Sequence, residues 1–213
     1  AETTYYARIR ADYGSGNYSK WSDEISFKPS AALNTTINDG SSTTTGYQAI
    51  PFHTYYTDGT SDKSQFIIPS ATLSAVADRQ ITKLTFHSQT ASASFGATIF
   101  KIYLQETDAT SFDAVTFDHS DMEEVYSGSV SIVNNEMVIT LDEPFDYGNG
   151  NLKVGFEMTT KGTAPSTCSW YGITSATNTS IYHYQYGSSP NSGLSSFLPK
   201  MTITSLPQTT TVK

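Results

Sequence analysis

Cysteine is nearly absent from this chain of 213 residues. The one cysteine, Cys168, has no second thiol with which to form an internal disulfide. A disulfide-stapled scaffold is therefore excluded, and a hydrophobic core must supply the stability. The sequence around Cys168, PSTCSWYG, contains no cation and no sign of a helix N-terminus that would lower the pKa of the thiol. We expect Cys168 to be a small buried apolar residue.

Basic residues and long apolar runs are also scarce. The chain has 12 Lys and Arg against 20 Asp and Glu, for a net charge of -8. Because each phosphate contact needs a Lys or Arg, we expect no nucleic-acid partner. No run approaches the roughly 18 apolar residues of a membrane span, and the chain opens on AETTYY rather than on a basic and apolar signal. We expect a mature, soluble piece without membrane insertion, with any export signal or anchor outside it.

Aromatic residues are plentiful, and apolar residues alternate with polar ones. Aromatics make up 13% of the chain and charged residues only 15%, a balance that favours sheets over salt-bridged helices. Phe100, Ile102 and Leu104 share one face of a predicted strand, with Lys101 and Tyr103 on the other. About eight or nine such segments follow residue 47. The pattern predicts an all-β protein built on an antiparallel β-sandwich of jelly-roll type.

The clearest strand pair lies in Ile139 to Met158, ITLDEPFDYGNGNLKVGFEM. Its two ends alternate with a period of two, which is typical of half-buried strands. Between them stand Pro144, which lacks the N–H of a central strand, and the turn residues Gly148 to Gly150. We therefore expect one strand to end near Pro144 and another to begin after Gly150.

Residues 1–28 alternate in the same way and return through a turn at Gly14 to Asn17, with Trp21 placed to cover Arg8 or Arg10. The stretch YYARIRADYGSGNYSKWSDEISF resembles the last two strands of a fibronectin type III domain. Tyr5 occupies the place of its tyrosine corner, and Tyr18 to Ser22 resemble its serine-tryptophan turn. Because a whole domain of that kind has about seven strands, the resemblance implies a partial domain, a hairpin over residues 1–28.

Residues 29–46, PSAALNTTINDGSSTTTG, are rich in Ser, Thr, Asn and Gly. They predict either a linker or the beginning of a first edge strand through Leu33 and Ile37. Residues 47–207 form the predicted sandwich module, and residues 208–213 a tail.

The sandwich region resembles β-sandwich modules that follow fibronectin type III domains in large secreted and surface proteins of the Bacteroidetes, including adhesins and glycan-degrading enzymes. The matching segments are YQAIPFHTYY, Ser64 to Pro69, ITKLTF, VYSGSV, PFDYGNGNLKVGF and FLPKMTI. The resemblance implies an extracellular or cell-surface accessory module, with neighbouring domains of a longer chain as partners.

Sequence patterns that would indicate a catalytic site are weak in this chain. Glycoside hydrolysis needs two facing carboxylates about 5 to 9.5 Å apart. Neighbouring strand residues such as Glu123 and Glu124 point to opposite faces, and only Glu106 and Glu157 could converge across strands. The four histidines show no metal-binding spacing, and no G-x-S-x-G elbow with a serine nucleophile occurs. We expect no enzyme activity of its own.

A structural calcium ion is the one cofactor that the loops suggest. Calcium takes six to eight oxygen ligands, often from irregular loops. The short spacings of Asp58 with Asp62 and of Asp118 with Asp121 could supply some of them, although Asp beside Gly or Ser is also ordinary turn composition. We therefore assign no metal ligand.

Aromatic rings are the strongest functional signal, because exposed flat rings flanked by hydrogen-bonding groups bind sugars. Tyr182, Tyr184 and Tyr186 fall on one face of a strand. The other candidate ligand-binding residues are Trp170, Tyr171 and Tyr56. The alternative is that the tyrosine row faces the core and only its hydroxyls reach the rim. Because adjacent strand residues point opposite ways, one ring of Trp170 and Tyr171 should be exposed.

These observations lead to two functional hypotheses. The first is a non-catalytic carbohydrate-binding module that attaches a larger surface or secreted protein to a polysaccharide or glycan. The second is a structural or adhesive spacer that binds protein partners or no ligand, with its aromatic rings used in packing. Exposure of the five rings from Trp170 to Tyr186 distinguishes them.

Overall fold

A computed structural model describes residues 3–28, 31–44, 50–52, 62–162, 168–186 and 189–208. The chain divides into two compact units, Ala1–Ala32 and Leu33–Lys213. Regular structure in the described ranges consists of strands and two short 3-10 turns, Ser70–Thr72 and Ser74–Val76. The strands are β1 (Tyr5–Ala7), β2 (Ile25–Phe27), β3 (Leu33–Ile37), β4 (Ser42–Thr43), β5 (Lys63–Ile68), β6 (Arg79–His87), β7 (Ser92–Ser94), β8 (Ile99–Thr107), β9 (Glu123–Gly128), β10 (Ser131–Val133), β11 (Glu136–Tyr147), β12 (Asn151–Thr160), β13 (Tyr171–Thr174), β14 (Ser180–Tyr186), β15 (Ser189–Ser195), β16 (Phe197–Pro199) and β17 (Met201–Pro207).

The first unit is an antiparallel hairpin. Strands β1 and β2 pair with Tyr5 opposite Phe27, and their rings stack with centroids 5.6 Å apart. The pairing continues toward the turn, where the N–H of Ser22 donates to the carbonyl of Ile9 over 2.8 Å. The turn itself contains three residues at positive φ, Gly14, Ser15 and Gly16, a conformation that glycine adopts without steric cost.

In its described residues the second unit contains three antiparallel sheets. The first sheet has the strand order β3-β17-β6-β11-β10-β7, and the second has β15-β14-β5-β12-β8-β9. A small third sheet has the order β16-β13-β4. The predicted all-β, antiparallel architecture is thus confirmed.

The core of the second unit lies between the two six-stranded sheets. The ring of Phe86, on the first sheet, meets the rings of Phe156 and Phe66, on the second sheet, at centroid distances of 5.3 and 6.4 Å. Phe100, Ile102 and Leu104 are fully buried, as their alternation predicts. Two sheets that bury their facing sides against each other form a sandwich.

Pro144 does not end its strand. Strand β11 continues through it to Tyr147, and the register of β11 with β6 shifts between Thr140 and Phe145. Pro144 therefore lies in an irregularity where ladder pairing is interrupted and its missing N–H costs no hydrogen bond. The turn at residues 148–150 and the strand after it lie where the sequence predicts them.

Part of residues 29–46 belongs to the sandwich. Strand β3 pairs antiparallel with β17, Leu33 opposite Ser205 and Ile37 opposite Met201, and lies at the edge of the first sheet. Of the two alternatives for this segment, the structure shows the edge strand. No helix long and apolar enough to cross a membrane occurs in the part of the chain that the structure describes.

Candidate functional site

Trp170 belongs to the core. Its side chain is fully buried, and its ring packs edge-on against Phe52 at 5.4 Å and Phe86 at 6.3 Å. The expectation that Trp170 binds a ligand is therefore wrong. Burying a large ring between two sheets stabilises the fold, and a buried ring cannot stack on a sugar.

Tyr182 and Tyr184 on β14 face inward. Tyr182 lies opposite Ser64 of β5, on the core side of the second sheet. Tyr184 is 2% exposed, and its hydroxyl accepts a hydrogen bond of 2.6 Å from Nδ2 of Asn191. The expectation that Tyr184 forms a ligand platform is therefore wrong, because its ring is buried like that of Trp170.

Tyr182 is half-buried and covers a neighbouring strand. Its ring stacks on that of Tyr184 with centroids 6.2 Å apart. A Cβ atom built on Gly193 would lie 2.7 Å from the Tyr182 hydroxyl, so this ring occupies the space above Gly193. The side chain of Tyr186 and all of Tyr56 lie outside the described part of the chain.

Tyr171 is half-buried and stands beside a polar depression of the second unit. It lies opposite Thr43 in the third sheet, and Thr43 is one of the residues that line a cavity of about 350 Å³. The cavity lies where β4, β13 and β16 meet β15. Its lining residues are Ser42, Thr43, Thr174, Asn178, Leu194, Ser195, Ser196 and Phe197.

Hydrogen bonds hold the wall of this cavity in place. The hydroxyl of Ser180 contacts the carbonyls of Ser195 at 3.1 Å and Phe197 at 2.9 Å. The hydroxyl of Ser195 accepts the N–H of Phe197 at 3.2 Å, and the N–H of Ser175 donates to the carbonyl of Ser196 at 2.6 Å. The β15–β16 junction is therefore fixed before any ligand arrives.

The cavity lining is uncharged. Five hydroxyls and one amide surround it, together with the apolar side chains of Leu194 and Phe197. Hydroxyl and amide groups donate and accept hydrogen bonds, and an apolar edge can contact C–H groups. This combination suits a neutral ligand rich in hydroxyls better than an ion.

A charged cluster occupies the outer face of the second sheet. Lys63 Nζ lies 2.7 Å from one oxygen of Glu157, and His119 Nδ1 lies 3.5 Å from the other. The connection between β8 and β9, residues 108–122, which we call the strap, brings His119 onto this face. Burial lowers the pKa of His119, and the nearby Glu157 carboxylate opposes this shift.

The strap is held at several points along the sheet. The N–H of Phe112 donates to the carbonyl of Asn178 over 2.8 Å, and the side chain of Gln65 donates to the carbonyl of Asp118 over 3.0 Å. A Cβ atom on Gly155 would lie 3.2 Å from His119 Nε2. The strap therefore rests directly on the backbone of β12.

The carboxylates Glu106 and Glu157 do not converge. Glu106 pairs in register with Leu152 and Glu157 with Lys101, five positions apart along β12, so alternation places them on opposite faces of the sheet. Glu106 accepts N–H groups of the β11–β12 turn, whereas Glu157 belongs to the cluster with Lys63. This pair cannot flank a scissile bond.

The aspartates considered for calcium show other roles. Asp118 accepts the N–H of Ser120 at 2.9 Å, and this bond lowers the pKa of its carboxyl. Asp62 is buried, and Asp58 lies outside the described ranges. Among described residues, no group of three or more His, Cys, Asp and Glu could hold a metal ion.

Cys168 is buried, as its sequence context predicts, and burial raises the pKa of its thiol to about 12. A thiol with so high a pKa is a poor nucleophile at neutral pH.

Among the residues that the structure describes, the most exposed aromatic rings are in the first unit, where the sequence predicts only packing. Trp21 is 54% exposed and Tyr6 is 67% exposed. The tryptophan ring lies 4.5 Å from the Arg10 guanidinium, which also covers Tyr18 at 3.7 Å. Of the two predicted partners, Trp21 thus contacts Arg10. The sequence pattern that could have indicated these exposed rings is the alternation in residues 5–9, which places Tyr6 and Arg8 on the face opposite Tyr5 and Ile9.

No protein-family model, curated protein or solved structure matches this chain.

Proposed function

We propose that the second unit is a non-catalytic carbohydrate-binding module and that its ligand site is the uncharged cavity beside Tyr171. The observation that carries the proposal is the lining of that cavity, in which hydroxyls and the amide of Asn178 surround the apolar edges of Leu194 and Phe197. A neutral saccharide presents the complementary groups, hydroxyls around its rim and C–H groups on its faces.

The context of the module is part of the same proposal. We propose a jelly-roll type sandwich, preceded by the end of a fibronectin type III domain, within an extracellular or surface protein that it attaches to a polysaccharide or glycan. The resemblance of the two sequence regions supports this context.

The test uses Asn178, which lies at φ 59. Replacing it with glycine removes the amide while keeping the left-handed backbone unstrained. Asn134 is a matched control, because it has φ 53 in another turn and is not part of the cavity lining. Affinity electrophoresis against neutral polysaccharides should show retardation of the native chain and of Asn134→Gly, and weaker retardation of Asn178→Gly.

The spacer hypothesis is the second candidate, and the burial of Trp170 and Tyr184 favours it. Both rings serve in packing, as that hypothesis requires. Equal mobility of the native chain in gels with and without each polysaccharide, together with an empty glycan array, would support the spacer and refute the saccharide site.

A further inference from the structure

A groove of about 340 Å³ lies on the hairpin of the first unit, lined by Tyr6, Arg8, Trp21 and Glu24. Two of these residues are exposed aromatic rings, and the other two carry opposite charges. Flat exposed rings accept the C–H faces of pyranose sugars, and charged groups beside them hydrogen-bond the hydroxyls. The groove therefore has the two kinds of surface that a saccharide subsite needs.

Contacts across the hairpin support the groove. Arg8 Nη2 lies 2.9 Å from Glu24 Oε2, and both side chains are about half exposed. The guanidinium of Arg10 contacts the rings of Trp21 and Tyr18. Next to Trp21, the hydroxyl of Ser22 accepts the N–H of Ile9 at 3.0 Å. Because these contacts exist without a ligand, binding need not order the rings, which lowers its entropic cost.

The charge of the first unit also suits this role. Residues 1–32 carry four Lys and Arg and four Asp and Glu, so their net charge is 4 − 4 = 0, and the charge of -8 lies wholly in the second unit. A neutral unit with an internal Arg8–Glu24 pair neither repels nor strongly attracts a charged chain. Stacking and hydrogen bonding would therefore determine what binds.

We propose that this groove is a second saccharide-binding subsite, separate from the cavity of the second unit. A pyranose ring lies against Trp21 and Tyr6, and its hydroxyls contact the Arg8–Glu24 pair. Arg10 is a positioning residue that holds the Trp21 ring.

The chain contains two tryptophans, which makes the test direct. Trp21 is 54% exposed and Trp170 is fully buried, so acrylamide should quench Trp21 selectively. We expect laminarin, xyloglucan, galactomannan or hyaluronan, titrated against the native chain, to reduce this quenching and to shift the exposed component of emission to shorter wavelength. If none of the four polysaccharides protects Trp21, the proposal is overturned.

Substitutions in the groove test whether saccharide binding occurs there. Binding measured by affinity electrophoresis should weaken at least tenfold in Trp21→Ala and less in Trp21→Tyr, which keeps a ring. Glu24→Gln removes the carboxylate but leaves both rings, and it should also weaken binding. Tyr13→Ala is the matched control, because Tyr13 is 72% exposed on the same hairpin but does not line the groove. Equal affinity of Trp21→Ala, Glu24→Gln and the native chain would refute the subsite.

The two sites can be judged separately. Loss of binding in Asn178→Gly alone places the ligand in the second unit and overturns the groove, whereas loss in Trp21→Ala alone places it in the first unit and overturns the cavity. Loss in both variants supports both sites.

Discussion

The ring of His119 lies almost parallel to the ring of Tyr103, with centroids 4.3 Å apart and 13° between their planes. Tyr103 belongs to β8 and His119 to the strap, so this stack fixes the strap to the outer face of the second sheet. The Tyr103 hydroxyl and His119 Nδ1 each lie 3.5 Å from the same oxygen of Glu157. The strap is thus held by a small titratable cluster.

Stability should fall as the pH drops below about 6.5. Burial lowers the folded-state pKa of His119 from 6.5, with Lys63 and Lys153 acting in the same direction and Glu157 and Asp118 opposing. The unfolded chain therefore takes up a proton at higher pH than the folded chain. The stabilisation is complete above the unfolded pKa and is lost as the pH falls toward and through the folded pKa.

The measurement is urea unfolding between pH 7 and pH 5. His119→Phe keeps a ring against Tyr103 but cannot titrate, so its free energy of unfolding should depend less steeply on pH than that of the native chain. Some slope remains, because burial also lowers the pKa of His87 and of His183. Identical slopes for the native chain and His119→Phe would contradict this assignment.

A side chain at Gly155 should loosen the strap. A Cβ atom there would lie 3.3 Å from Met122 Cε and 3.2 Å from His119 Nε2, so Gly155→Val should destabilise the protein by about 1 to 3 kcal/mol through overpacking. Limited proteolysis should show faster cleavage within residues 108–122. The double variant with His119→Ala should cost less than the sum of the two single changes, because the clash is partly relieved. If the two single changes and the double variant were strictly additive in unfolding free energy, the direct contact between position 155 and His119 would be contradicted.

Glu106 should stabilise the turn between β11 and β12. Its carboxylate accepts the N–H of Gly148 at 3.1 Å and that of Gly150 at 2.8 Å. Because the site is exposed, we expect Glu106→Ala to lower the free energy of unfolding by about 1 kcal/mol. Glu106→Gln should lose less, since its amide oxygen can accept one of the two bonds. Hydrogen exchange at the two glycine amides is the direct readout, and unchanged exchange in Glu106→Ala would contradict the role.

Replacing Trp170 should affect stability and leave the proposed saccharide binding unchanged. Removing a fully buried ring leaves a cavity between the sheets, so Trp170→Ala should cost about 3 to 5 kcal/mol and Trp170→Phe less. Chemical denaturation measures the cost, with the half-buried Tyr171→Ala as a milder comparison. A native-like unfolding midpoint for Trp170→Ala would contradict the packing described for this ring.

Alternation predicted the strands well, because a period of two places successive side chains on opposite faces, and a face that is uniformly apolar is the buried one. Phe100, Ile102 and Leu104 are the clearest case. Alternation could not predict that the strap covers Gly155, because a loop has no periodic pattern that indicates where it packs. For the same reason Tyr103, on the predicted wet face, is almost buried beneath His119.

The aromatic residues show a second limit. Alternation placed Trp170 and Tyr171 on opposite sides, which is consistent with one buried and one half-buried ring, but it could not say which side faces the core. In the first unit the same pattern separated Tyr6 from Tyr5. The sequence does not predict the groove, because the groove depends on the cross-strand pair of Arg8 with Glu24, which only the folded hairpin brings together.

The pairing of β3 with β17 has a mechanical consequence. Leu33 lies opposite Ser205, so the chain enters and leaves this sheet at the same end of two antiparallel neighbours. Tension applied through residues 33 and 207 would break their hydrogen bonds one after another, as in unzipping, whereas a shearing load would break them together. This edge strand would therefore be the first to separate under such a load, while β17 stays paired with β6.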